Sequence, residues 1–160
     1  DAAFTAGAIF THCPQGDVLG YPASGLVATR ASYDIQTPGN TLSKFSASAQ
    51  SNVGLERGTI LLPEATLAMG TGSTTPVDNG APTANGAVAY LQCLDKAGVD
   101  TQYISIQHSS DDTTYVTLLA FEIDAIGAQR ITVTGTVRRY VRISWFSTAT
   151  TRVQLMFKRY

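Results

Sequence analysis

Charge is what this sequence has least of. Asp, Glu, Lys and Arg together make up 14% of its 160 residues, against a usual share of about 25% in soluble domains. Thr, Ser, Ala and Gly stand where Glu and Lys normally solvate an exposed face, which points to faces packed against other protein. Two cysteines, Cys13 and Cys93, are too few for a disulfide framework, so a disulfide-independent fold is expected. No apolar run approaches the roughly 18–20 residues of a membrane helix, so no membrane partner is expected. Two histidines, His12 and His108, leave little from which to build a nucleophile and base pair. The adjacent residues His108-Ser109-Ser110-Asp111-Asp112 have the right chemistry in the wrong geometry for a triad, since neighbours in one turn point apart. They read as a turn held by side-chain to backbone bonds. His12-Cys13 cannot easily aim both side chains at one ion, Cys93 and His108 show no ligand spacing, and Asp111-Asp112 is a weak calcium signal. Gly70 to Thr75 lacks the Lys and following helix of a phosphate loop. The expectation is a non-catalytic protein with no cofactor and no metal.

Helical periodicity is missing too, and what is present is alternation. In Tyr140 to Phe146, Val141, Ile143 and Trp145 face one way and Tyr140, Arg142 and Ser144 the other, the mark of a half-buried strand. Arg152 to Tyr160 repeats this, with Val153, Leu155 and Phe157 inward and Gln154, Met156 and Lys158 outward. Further strands are predicted at Gly25 to Gln36, Leu42 to Ser51, Arg57 to Leu62, Ala87 to Leu94, Gln102 to Gln107, Tyr115 to Glu122 and Ala128 to Thr134. Turn residues separate them, as at Thr37-Pro38-Gly39-Asn40. The fold class is all-β, an antiparallel β-sandwich with a jelly-roll or discoidin-like C-terminal part, preceded by a smaller β unit. The stretch 70–86, GTGSTTPVDNGAPTANG, reads as a linker. It divides an N-terminal β unit at 1–69 from a C-terminal sandwich at 87–160.

The few charges are unevenly spread. Residues 1–124 hold four basic residues against all twelve acids, a net −8, and residues 125–160 hold seven basic residues and no acid, a net +7. Opposite charges on one chain suit head-to-tail contacts between copies, which generate rings or helical stacks. Pairing of the same charges inside one molecule is the equal alternative. Arg130, Arg138, Arg139, Arg142 and Arg152, with Asp78 and Asn79, are the candidate subunit-contact residues. Tyr140 and Trp145 are possible stacking platforms for nucleic acid, although Trp145, on the apolar face, reads better as core.

Four segments carry a resemblance: ASYDIQTPGNTLSKFSASAQSNVGLER from Ala31 to Arg57, VDNGAPTANGAVAYLQ from Val77 to Gln92, ISIQHSSDDTTYVTLLAFE, and GAQRITVTGTVRRYVRISW. Together they resemble the major tail, or tail tube, proteins of long non-contractile tailed bacteriophages, over roughly residues 10 to 160. The most specific parts are Asp78-Asn79-Gly80 to Gly86 and the pairing of IQHSSDDTTYVTL with GTVRRYVRISW, which also occurs in discoidin-like binding modules. The resemblance implies a virion structural subunit, assembled in the host bacterial cytoplasm and located in the tail. Its copies would form rings, hexameric in expectation, stacked into a tube beside other phage tail or head proteins, with genome DNA passing through the lumen without specific binding. Members of the family carry further strands ahead of the position of Ala2, so the chain is expected to be processed or part of something longer. The rival expectations are a capsid decoration protein and a discoidin-like carbohydrate-binding module using Tyr33, Tyr103 and Tyr115.

Overall fold

The computed structural model describes residues 7–36, 44–51 and 54–160. Its strands are β1 (Ala8–His12), β2 (Pro22–Ala28), β3 (Arg30–Gln36), β4 (Lys44–Gln50), β5 (Glu56–Leu67), β6 (Gly70–Ser73) and β7 (Val77–Asp78), followed by β8 (Ala87–Lys96), β9 (Gln102–Ser109), β10 (Val116–Ile123), β11 (Gly127–Val133), β12 (Tyr140–Ser147) and β13 (Thr151–Arg159). A six-stranded sheet runs β1-β2-β5-β13-β8-β11, and a second sheet runs β10-β9-β12-β6 with β7 also on β12. All pairings are antiparallel. The two sheets face each other across the main core, so the protein is an antiparallel β-sandwich.

The alternation in the sequence explains this packing. From the six-stranded sheet Leu91, Val153, Leu155 and Phe157 point into the space between the sheets, and from the second Ile104, Ile106, Phe121 and Ile143 meet them. Val141 joins this core and Trp145 packs against it, which agrees with the apolar stripe read on Tyr140 to Phe146. Met156, expected to face outward, is fully buried. It belongs to a second cluster with Ala23, Ile60, Val88 and Tyr90, against which Ile9, Cys13 and Val27 pack. The six-stranded sheet curls to make this possible: the Gln92 side chain on β8 donates to Thr11 Oγ1 on β1 at 3.1 Å. Both faces of β8 are therefore covered, which accounts for its nearly unbroken buried run AVAYLQC in place of alternation.

Two expectations about boundaries differ from the structure. The strand read from Gly25 to Gln36 is two strands broken at Thr29, whose N–H and hydroxyl both donate to the Gln50 carbonyl. Beyond that point β3 pairs with β4 in a separate two-stranded sheet; the turn predicted at Thr37 to Asn40 lies outside the described residues. The stretch 70–86, expected as a linker, instead contributes β6 and β7, both hydrogen-bonded to β12, and a bridge from Thr83 to Val137. β6 passes as linker in the sequence because Gly72 stands where a side chain would have nowhere to go, and β7 because it is only two residues long. A Cβ on Gly72 would lie 2.2 Å from the indole of Trp145, so the aromatic ring covers the strand that lacks side chains.

This contact is testable because Trp145 is the only tryptophan. Gly72→Ala is expected to displace the indole, shift intrinsic fluorescence to longer wavelength and cost about 1–3 kcal/mol of stability. An unchanged emission spectrum would show that the strand and ring are not in contact.

The register places loops at two ends. The short turns 68–69, 97–101, 124–126 and 148–150 lie at one end of the strands, and 79–86, 110–115 and 134–139 at the other. Turns at the first end touch: Thr101 Oγ1 donates to Asp124 at 2.6 Å, and the Ala97 N–H donates to the Thr150 carbonyl.

Candidate functional site: the charged ends of the sandwich

The charge asymmetry along the sequence becomes an asymmetry along the strand axis. Among the residues whose side chains are described, Asp17, Glu64, Asp95, Asp100, Glu122 and Asp124 lie at or near the end formed by the short turns, with Lys96 and Arg152 as bases, a net −4. The half leading to the other end holds Arg57, Arg130, Arg138, Arg139, Arg142, Lys158 and Arg159 against Glu56, Asp78, Asp111 and Asp112, a net +3. The acidic end also presents large apolar side chains at its turns, with Val99 95%, Met69 72% and Ile126 63% exposed. Three large apolar side chains exposed at the turns of one end form a feature that a protein contact could cover.

Several of the seven candidate contact residues already have partners within the chain. Arg130 forms a two-point ion pair with Glu56, Nε to Oε2 at 2.7 Å and Nη2 to Oε1 at 2.9 Å. The hydroxyls of Tyr90 and Tyr160 also donate to this carboxylate, so β5, β8, β11 and Tyr160 meet at one buried anion. Burial pushes the Glu56 carboxyl up, but the hydrogen bonds from Arg130, Tyr160 and Tyr90 outweigh it and bring it down to about 2. Arg130 therefore serves the fold.

Asp78, Asn79, Arg138 and Arg139 come together at the basic end. Arg139 Nε and Nη2 reach the two oxygens of Asp78 at 2.7 and 2.6 Å, and the Gly80 N–H donates to the same carboxylate at 2.8 Å. Asn79 donates through both its backbone and its side chain to the Arg139 carbonyl, each at 3.0 Å. The start of the Asp78 to Gly86 segment and the Arg139 part of GTVRRYVRISW are thus stitched to each other. Both side chains of the Asp78–Arg139 pair remain more than two-fifths exposed, so the pair presents its outer edge to solvent and contributes little to stability. The Arg138 N–H donates to His108 Nδ1 at 3.2 Å. Burial, then the charge of Arg138, pushes His108 down, which favours neutral imidazole.

Arg142 lies on the outer face of the second sheet, its guanidinium 3.8 Å from the centre of the Tyr115 ring and its Nε 2.9 Å from Gln107 Oε1. Arg152 stands apart at the acidic end, paired with Glu64 at 3.2 Å. Sequence reasoning did not single out Arg57 and the exposed Val99 and Ile126. For the latter pair the signal was available, a large aliphatic inside AGVD and DAIG where a turn needs none.

The His108 to Asp112 segment is a self-contained turn. Ser109 Oγ is 2.7 Å from Asp111 Oδ1, and that oxygen accepts from the N–H groups of Thr113 and Thr114 at 3.0 and 2.9 Å. These bonds hold the Asp111 carboxyl well below the usual range. Asp112 takes a positive φ of 61° at the tip. Among the described residues no three His, Cys, Asp or Glu side chains gather as a metal site, and no helix is long and apolar enough to cross a membrane. Cys13 and Cys93 are free thiols, both pushed up first by burial. Tyr103 and Phe146 sit side by side on the outer face of the second sheet and are both exposed. Tyr115 lies toward the opposite end of that sheet, and the Tyr33 side chain lies outside the described residues.

No family model and no curated protein matches the chain. Among solved structures, the crystal structure of PirA is similar over 62% of this chain and 94% of its own, at 10% identity and a TM-score of 0.43. A likeness of that size carries no argument about function.

Proposed function

We propose that the chain is a virion structural subunit whose copies stack head to tail, as in the tail tube of a long non-contractile bacteriophage. The separation of charge along the strand axis, with an apolar-tipped acidic end opposite a basic end, is the observation that carries this reading. Such an arrangement is complementary to itself under translation, and translated copies form rings or stacks in place of closed two-fold dimers. The tail-tube resemblance gives the biological setting. In that setting the work of the chain is assembly, with partners that are copies of itself and neighbouring tail or head proteins, and DNA passes without specific contacts. Of the candidate contact residues, Asp78, Asn79, Arg138 and Arg139 lie where a stacking contact would form. Arg142 faces sideways, where neighbours within a ring would meet.

Electron microscopy of the purified chain, or of the particle that contains it, tests this reading. Stacked rings with six-fold symmetry are expected. Density confined to a capsid surface would transfer the reading to a decoration protein. Persistent monomers that bind glycans through the exposed Tyr103 and Phe146 pair would replace it with a carbohydrate-binding module.

A further inference from the structure

At the basic end, between the start of β5 and the end of β13, lies a pocket of about 290 Å³. Arg57, Thr59, Lys158 and Arg159 line it, with Asn79 from the β7 turn and Phe157. No acid is part of the lining, and the two acids adjacent to it in sequence, Glu56 and Asp78, are held by Arg130 and Arg139. Lys158 alternates to the other face of β13, where its ammonium lies 4.3 Å from the centre of the Tyr160 ring, so its charge stands across the strand from Arg57 and Arg159. The guanidinium of Arg159 donates to the carbonyls of Asn79 and Ala81, which fixes its position without neutralising it. Its Nε is buried and has no acceptor. A buried charged donor without a partner is costly and uncommon in a finished structure.

We propose that this pocket binds an oxyanion, either phosphate-like or a carboxylate, held by Arg57 and Arg159 with the Thr59 hydroxyl as a further donor. Arg presents paired donors that match the oxygens of such a group, and the pocket is of a size for a small anion. Burial, which alone pushes Arg159 down, would be offset by the charge of the ligand. The oxyanion has two possible sources: a free ion, or a carboxylate from the acidic end of a second copy. The second source rests on the stacking reading above.

Titration of the full chain with inorganic phosphate, followed by amide shifts in a ¹H–¹⁵N spectrum, tests the proposal. Saturable shifts are expected at Arg57, Thr59, Asn79 and Lys158, with a dissociation constant on the order of 1 mM. Arg57→Gln removes an exposed arm at the pocket rim, and its spectrum reports directly that the chain is folded. It is expected to weaken binding about tenfold. Shifts that do not saturate, that chloride reproduces at equal ionic strength, or that Arg57→Gln leaves unaltered would overturn the site. Sedimentation in the same buffers separates the sources. Phosphate that binds and leaves the association state unaltered identifies a free oxyanion, whereas phosphate that binds and separates copies identifies a neighbouring carboxylate. Phosphate binding by a chain that never associates would retain the pocket while removing the stacking reading.

Discussion

Glu56→Ala is expected to destabilise the protein by about 3–5 kcal/mol, the usual effect of removing one member of a buried ion pair. The carboxylate accepts from Arg130, Tyr90 and Tyr160, so its loss leaves a guanidinium and two hydroxyls short of an acceptor. Replacing both partners, as in Glu56→Gln with Arg130→Met, is expected to recover a large part of that loss, because no charge is then left buried alone. Urea denaturation of the single and double variants measures this, and a loss below about 1 kcal/mol in the single variant would show that the cluster is not structural. The same group sets an acid dependence. Its carboxyl falls from 4.5 to about 2 on folding, so the folded state binds the proton less readily than the unfolded one. The stabilisation, about 3 kcal/mol at full strength, is complete above roughly pH 4.5 and is lost as pH falls through 2. In Glu56→Gln that part of the acid sensitivity should vanish.

Gly86→Ala is expected to cost roughly 2–5 kcal/mol, from a strained backbone together with a steric displacement. Gly86 has a φ of +81°, and a Cβ there would lie 2.1 Å from the Val133 carbonyl oxygen and 3.0 Å from the Thr134 Cα. Both are backbone atoms, so no rotamer change relieves the clash. The position matters because Gly86 ends the 70–86 segment just where β8 begins opposite the end of β11, and its carbonyl accepts from the Tyr160 N–H. Gly80, with a φ of +76° but open space around the Cβ position, should lose only the smaller backbone part on the same substitution. A denaturation midpoint for Gly86→Ala no lower than that for Gly80→Ala would contradict the packing at this junction.

The half-buried strands were legible because they face one core. Tyr140 to Phe146 and Val153, Leu155 and Phe157 alternate as a sheet with one wet face must. Met156 broke the pattern because the six-stranded sheet curls over its own outer face, and an outward position in one strand pair became an inward one in a second core. Nothing in a local pattern signals that curl. The 70–86 segment misled for a different reason: strand character there comes from the Trp145 ring laid over Gly72, a contact 73 positions away along the chain. At the basic end, the charge excess after Ala125 was readable, but its partners were not. Glu56 and Asp78 precede Arg130 and Arg139 by 74 and 61 positions, and only the sheet order brings them into contact. The Arg57 and Arg159 pocket was hidden likewise, since its walls come from β5 and β13, which lie about 100 positions apart in the chain and meet only through sheet pairing.

Head-to-tail association through the charged ends is tested most directly by exchanging their charges. One variant carries Asp100→Lys, Glu122→Lys and Asp124→Lys at the acidic end, which takes it from −4 to +2; the other carries Arg57→Glu and Lys158→Glu at the basic end, which takes it from +3 to −1. Each variant alone then presents like charges to its own copies, while an equal mixture can alternate with opposite charges at every contact. Sedimentation velocity at low salt is the measurement. The expected result is association of the native chain, monomers for each variant alone, and recovered assemblies in the mixture. Association of either variant alone to the native extent, or a mixture that remains monomeric, would contradict stacking through these ends.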